Sequence, residues 1–251
     1  MPDSSVKARC NLFAVLRGIE YLLDNDAECK KLVEGTDLAI QFNIKDGPKG
    51  NLSIRDGKAL MKSGKHKSSM ILYFTSPEHF NKMIDGNANP IPLTGFHKIG
   101  FLTGPFMKLA DKLNYYLRPE GDLLSDPDYF RMNTEITAYT AFFALAEIGN
   151  HDRMGRLSSA AMPDGILQVQ IEDGIGIFIN VEKGRLTCNK GIHDKPRAIL
   201  SFRNLDAAHR VLNGKLDTYT GLGNGEMSMR GFIPMLDNMN PILDLVPVYL
   251  S

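Results

Sequence analysis

The chain has 251 residues, 29 Lys+Arg against 29 Asp+Glu, 43% hydrophobic residues, 12 Met and 3 Cys. That balance excludes a disordered polyelectrolyte and a disulfide scaffold, and Cys10, Cys29 and Cys188 are too far apart for a CxxC redox motif or half a zinc site. The longest apolar run, Ile136–Ala146, is far short of the ~20 residues of a membrane span, and the first residues lack a secretory leader, so a reducing, cytoplasmic setting is expected.

Leu12, Val15, Leu16, Ile19, Leu22 and Leu23 recur at helical spacing. Four short strands follow: Ile40-Phe42-Ile44 before the Asp46-Gly47 turn, Leu52-Ile54 before Asp56-Gly57, Ala59-Met61, and Met70-Leu72-Phe74. Ser76-Pro77 opens a helix through Ile84 that stops at Gly86, and His97–Leu102 reads as a fifth strand before an amphipathic helix from Gly104. A linker near Gly121–Asp126 comes next. Asp126 and Pro127 then cap and open a helix over Tyr129–Ile148. Further on, a helix over Asn204–Leu212 stops at Gly214, Glu226–Arg230 reads as a strand, and a last helix starts at Gly231. Pro241 and Pro247 are expected to cut that helix short and leave Asp244–Ser251 extended.

The two series are one pattern read twice. Shifted by 127 residues, Gln41–Lys58 falls on Gln168–Arg185 with five identities in 18, at Gln41, Ile44, Asp46, Gly47 and Gly57. With single-residue slips the match runs on through Gly64 on Gly191, Ile71–Phe74 on Ile199–Phe202 and Gly86 on Gly214, then returns to 127 at Gly104 on Gly231. Two domains are therefore expected, 1–124 and 125–251.

A helix, four strands, a helix, a fifth strand and a terminal amphipathic helix is an order that resembles the sterol carrier protein type 2 family of lipid-binding domains. Asp46-Gly47-Pro48, Met83-Ile84-Asp85-Gly86 and the His97–Gly104 stretch leading to Phe106-Met107-Lys108-Leu109 carry the likeness in the first copy. Leu212–Leu216 and Gly225–Gly231 carry it in the second. The resemblance implies an α+β fold of two tandem domains, each a five-stranded mixed or antiparallel sheet covered on one face by helices. It also implies an apolar tunnel for an acyl chain, a sterol or a similar ligand, and a binder or carrier that is no enzyme and needs no cofactor. The tunnel wall would be Phe74, Phe80, Met83, Gly100, Leu102, Phe106, Leu109 and Leu113 in copy one, and Phe202, Leu212, Met227, Met229, Met235 and Met239 in copy two. A methionine-rich wall suits varied apolar shapes, and the same methionines read equally well as core. Gly100, aligned with Met227, either leaves room for a ligand or marks a bulge.

Other chemistry is not indicated. The six histidines show no metal-ligand spacing, and the glycines of Gly221–Gly225 precede a strand rather than a helix, which is wrong for a dinucleotide loop. Residues 39–118 hold twelve basic against five acidic residues, net +7, with Lys58, Lys62, Lys65, His66 and Lys67 close together. The four lysines are candidates for contact with anionic head groups, worth about 1 kcal/mol each at such a surface, and alternatively form a solvated turn facing the acidic linker. No aromatic residue interleaves with them as nucleic-acid binding would require. The expected function is binding or transfer of a lipid or other long hydrophobic ligand; the alternatives are an accessory protein presenting such a substrate to a partner enzyme, or a structural or dimerisation module with a filled core.

Overall fold

The computed structural model describes residues 2–172 and 174–250. Asp173, matched to Asp46 above, lies outside the described residues. The chain divides into two compact units, Met1–Arg118 and Pro119–Ser251.

Unit 1 begins with α1 (Ser4–Cys10), a π turn (Asn11–Val15), α2 (Gly18–Asn25) and α3 (Ala27–Leu32), where the sequence suggests one helix. Asp3 and Asp26 cap α1 and α3 by each accepting from two backbone N–H groups. The strands are β1 (Leu38–Ile44), β2 (Lys49–Arg55), β3 (Lys58–Ser63), β4 (Met70–Phe74) and β5 (Ile91–Thr94), with α4 (Pro77–Ile84) before the last. A 3-10 turn (Phe96–Lys98), α5 (Ile99–Phe101), a second π turn (Leu102–Phe106) and α6 (Met107–Leu117) close the unit. Alternation puts Ile40, Phe42, Ile44, Leu52, Ile54, Leu72 and Phe74 on one buried face, while Ala39, Asn43, Ile71 and Tyr73 on the other stay half-exposed.

Unit 2 holds a 3-10 turn (Leu123–Ser125), α7 (Pro127–His151), α8 (Arg153–Ala161), β6 (Gly165–Ile171), β7 (Gly176–Glu182), β8 (Arg185–Lys190) and β9 (Ala198–Phe202). It continues through α9 (Leu205–Leu212), α10 (Thr218–Gly223), β10 (Met227–Gly231), α11 (Ile233–Leu243) and α12 (Val246–Leu250). Among the described residues each unit is an α+β domain around one five-stranded mixed sheet. The order is β3-β2-β1-β4-β5 in unit 1 and β8-β7-β6-β9-β10 in unit 2, and only the central pairs, β1 with β4 and β6 with β9, are parallel.

The two sheets share one polar device. The Gln41 amide nitrogen donates to the carbonyls of Phe42 (3.2 Å), Gly50 (3.0 Å) and Gly64 (3.1 Å), and its oxygen accepts from the His66 N–H (3.0 Å). Gln168 does the same with Val169 (2.9 Å), Ile177 (3.0 Å), Gly191 (3.2 Å) and the His193 N–H (2.9 Å). Every partner is displaced by 127 residues. The turns repeat too: Asp56-Gly57 and Lys183-Gly184 both have positive φ, as a two-residue hairpin of this twist requires. Ser76 and Asn204 cap α4 and α9.

Three expectations are corrected. His97–Leu102 is helical, and the fifth strand of unit 1 is Ile91–Thr94. The strand ends at Gly95, with φ 78°, which matches Gly231, with φ 84°; Gly104 does not. A Cβ at Gly95 would meet the Ser69 carbonyl oxygen at 2.5 Å, and one at Gly231 would meet the equivalent oxygen of Arg197, so both positions require glycine. The register jumps to 136 there because α10 is inserted between α9 and β10 and has no counterpart between α4 and β5. The tail is also not extended. Pro247 is the second residue of α12, where no backbone N–H is needed, and α11 continues through Pro241 to Leu243.

Replacing the buried glutamine leaves three carbonyls and one N–H without their side-chain partner. Gln168→Leu is expected to lower the stability of unit 2 by about 1–3 kcal/mol, read from the urea midpoint of its unfolding transition.

Candidate functional site

The residues expected to line one tunnel are dispersed. Phe74 and Phe80 pack edge to face at 5.0 Å, Phe80 lies 6.2 Å from Phe42, and all three are fully buried core. Met83 is half-buried on α4. Leu109 and Leu113 are buried on α6, whose main partners beyond its own segment are α2 and α3, and a Cβ at Gly18 would come 2.6 Å from Leu113 Cδ1. Phe106 is buried, Leu102 is half-buried, and Gly100 is exposed with nothing within 4 Å of where its Cβ would stand. Gly100 therefore occupies neither a strand nor the position of Met227.

In unit 2 the corresponding residues are closed in. Phe202, Met227, Met235 and Met239 are buried, Leu212 and Met229 half-buried, and α10 lies over Met227, whose Sδ would be 2.9 Å from a Cβ at Gly221. The helix α11 packs on β9 and β10 as well as on α7 and α8.

Unit 1 instead exposes an apolar stretch that the sequence reading passed over. Ile91 and Leu93 of β5, then Phe96, Ile99 and Met107, stand out in the water, Phe96 at 61% and Met107 at 51%. Phe96, Ile99 and Met107 recur at roughly helical spacing and so share a side of the segment. Two signals were available for it. Thr94-Gly95-Phe96 parallels Arg230-Gly231-Phe232, and no acidic residue occurs between Asp85 and Asp111.

The basic group lies elsewhere. Lys58 and Lys62 flank Leu60 on the outward side of β3, and Lys65 and Lys67 follow it, all exposed. As β3 and β5 are opposite edges of the sheet, these lysines do not rim the apolar stretch. On its inner side β3 is tied down: the Met61 N–H donates to the buried Glu20 carboxylate at 2.8 Å. A separate cleft of about 950 Å³ lies between α3 and the β2–β3 turn. Its lining includes Lys30, Lys31, Glu34, Asp37, Arg55 and Asp56, so it is charged with both signs, and it contains none of the expected wall residues.

Each terminal helical segment is held by a tyrosine. The Tyr116 hydroxyl donates to Asp26 at 3.2 Å and the Tyr249 hydroxyl to Asp152 at 2.7 Å; both aspartates also cap a helix, α3 and α8. Burial pushes the Asp26 carboxyl upward, but the Cys29 N–H, the Lys112 ammonium and the Tyr116 hydroxyl hold it below the usual aspartate value. The same burial, reinforced by Asp26, pushes the Cys29 thiol and the Tyr116 hydroxyl up to about 12, so Cys29 stays a protonated, unreactive thiol at neutral pH. Among the described residues no group of three His, Cys, Asp or Glu side chains could hold a metal ion, and no helix is long and apolar enough to cross a membrane.

No family model and no curated protein matches the chain. Among solved structures it is similar to the sterol carrier protein domain 2 of Helicoverpa armigera, at 14% identity and a TM-score of 0.36 over 44% of this chain and 87% of that one. It is also similar to a crystal structure of sterol carrier protein 2, at 18% identity and a TM-score of 0.33 over 42% and 89% of the two chains. A stereoselective inverting sec-alkylsulfatase from a Pseudomonas species matches at 13% identity and a TM-score of 0.27, over 59% of this chain and 29% of the enzyme.

Two outcomes follow from this geometry. Gly100→Ala places a methyl group in open solvent on a helical turn and removes glycine's conformational freedom, so it should stabilise unit 1 by about 0.5–1 kcal/mol in a denaturation experiment. Tyr116→Phe should destabilise it by about 1 kcal/mol. Because the native Asp26 value is depressed, the stability it contributes is full above about pH 4 and is lost as pH falls through the native value, and the difference between Tyr116→Phe and wild type should shrink in the same window.

Proposed function

We propose that the protein is a non-catalytic binder or carrier of a lipid or other long apolar ligand, that unit 1 takes the ligand, and that unit 2 is a filled scaffold copy. The observation that carries this reading is the unequal closure of the two terminal segments. In unit 2, Met235, Leu236, Met239 and Ile242 are fully buried and α11 packs on β9 and the edge strand β10, with exposure of large apolar side chains confined to Phe232 and Ile233 at its start. In unit 1 the matching segment has α2 and α3 as the main partners of α6, and Ile91, Leu93, Phe96, Ile99 and Met107 stay exposed beside the β4–β5 edge. Exposed apolar area of this kind gains about 25 cal/mol for each Å² removed from water, which an acyl chain or sterol laid between the segment and the sheet edge would supply. The half-buried Leu102, at the start of the second π turn, faces such a ligand in this reading.

Mass spectrometry of an organic extract of the purified protein, with uptake of a fluorescent fatty acid from solution, tests the assignment. A retained long-chain compound and saturable uptake are expected. Leu102→Asp should abolish both, and Phe232→Asp, at the position of unit 2 that matches Phe96, should leave both in place. An empty extract without uptake, or loss on Phe232→Asp alone, would overturn it.

A further inference from the structure

We infer that the stretch from Ile91 to Met107 is a docking face for an anionic lipid bilayer, distinct from the lysines on the opposite edge of the sheet. This rests on the reading of unit 1 as the ligand-binding unit and names the surface from which its ligand comes. Five large apolar side chains project from seventeen residues of chain, Leu93 at 48% exposure and Phe96 at 61%. An apolar group of this size on a folded chain marks a contact surface.

The charge around it selects the partner. Between Asp85 and Asp111 the only charged or titratable side chains are His97, Lys98 and Lys108, and all of them are basic. His97 and Lys108 are exposed next to Phe96 and Met107, and Lys98 is half-exposed. Aromatic and aliphatic side chains on one side of a short helical segment, with cations beside them and no carboxylate until Asp111, one turn beyond Met107, is the pattern of a segment that lies in the head-group layer. An acidic protein partner would also be drawn by the lysines, but a partner's edge strand would find a poor template here. Pro90 and Pro92 remove two backbone donors from the rim of the sheet, so what β5 offers is its side chains rather than a ladder of hydrogen bonds.

The backbone sets the segment at the rim. Gly95 turns the chain sharply out of β5 in the left-handed conformation, and the 3-10 turn, α5 and the second π turn then carry Phe96 and Ile99 clear of the core before α6 settles on α2 and α3.

Flotation of the full chain with vesicles of phosphatidylcholine containing phosphatidylserine, and with phosphatidylcholine alone, provides the test. Binding to the anionic vesicles is expected to be stronger and to weaken as salt rises, since exposed charges are screened over ~8 Å at physiological ionic strength. Leu93→Asp and Phe96→Asp should each reduce binding by about tenfold or more, as expected for losing one inserted apolar side chain and adding a repelled charge. Lys98→Glu should reduce the preference for anionic vesicles, and Lys58→Gln with Lys62→Gln should change little. Lys98→Glu, which touches none of the apolar side chains assigned to the ligand, should keep fatty acid uptake from solution, and both aspartate variants should keep the wild-type melting temperature because the replaced side chains are exposed. Unchanged vesicle binding in Leu93→Asp and Phe96→Asp would overturn the docking face, and so would concentration-dependent self-association abolished by the same substitutions. Failure of uptake in the wild type with vesicle binding intact would overturn the ligand reading instead.

Discussion

A single uncharged amide on the first strand of each sheet fixes the path of two other stretches of backbone. Gln41 and Gln168 point away from the helix-covered face, where a polar side chain is tolerable, yet both are buried. Each spends its carboxamide on the next strand and on the chain leaving the third strand. The carbonyls it reaches belong to β2 and Gly64 in one unit and to β7 and Gly191 in the other, so the meander cannot slip register without stranding buried polar groups. Gly64 and Gly191 have positive φ, which lets the chain turn back beneath the amide. Everything downstream, including the parallel pairing of β4 with β1 and of β9 with β6, is laid on a three-stranded base secured in this way.

This part of the fold was legible in the sequence because it depends on local chemistry at constant spacing. Gln41 and Gln168, the two-residue turns, and the capping residues Ser76 and Asn204 all sit in one register. The fifth strand was not legible, for a physical reason. Gly86 and Gly95 are close in sequence while Gly214 and Gly231 are separated by α10, so a constant shift carries Gly104 onto Gly231 and turns a helical segment into a strand. What identifies the true match is a tertiary constraint, the near-contact of both glycines with the carbonyl preceding β4 or β9. No periodicity contains that information. The charges did contain a signal, in the empty interval between Asp85 and Asp111, which a net count over residues 39–118 averages away.

The methionines show how composition can point to the right chemistry and the wrong place. Met227, Met235 and Met239 fill a closed core, as a flexible side chain does where an irregular gap must be packed. The exposed apolar surface is made instead of Ile, Leu and Phe with Met107 as its one methionine. The two units thus diverge by packing rather than by topology: one strand order supports a closed terminal segment in unit 2 and an open one in unit 1.

The second π turn is where that divergence becomes mechanical. Phe106, Leu109, Leu113 and Tyr116 are spaced by three and four residues and form the buried stripe of α6. Extended backward along an uninterrupted α-helix, the same spacing would bring Leu102 and Ile99 into the stripe and bury them. A π turn adds about one residue to the helix, roughly 100° of rotation, and so displaces the preceding turn from the stripe that follows. Pro105 lies inside that turn and has no N–H for a regular α-helical bond, which favours the wider geometry where it stands. Leu102 accordingly is only half-buried and Ile99 is exposed. In unit 2 no π turn occurs among the described residues, Pro234 falls in the first turn of α11, and the stripe of Met235, Leu236, Met239 and Ile242 closes without interruption. The position of one proline relative to the start of the terminal helix therefore separates a segment that presents Phe96, Ile99 and Met107 to its surroundings from one in which exposed large apolar side chains are confined to Phe232 and Ile233, at its start, and the stripe that follows packs into a core.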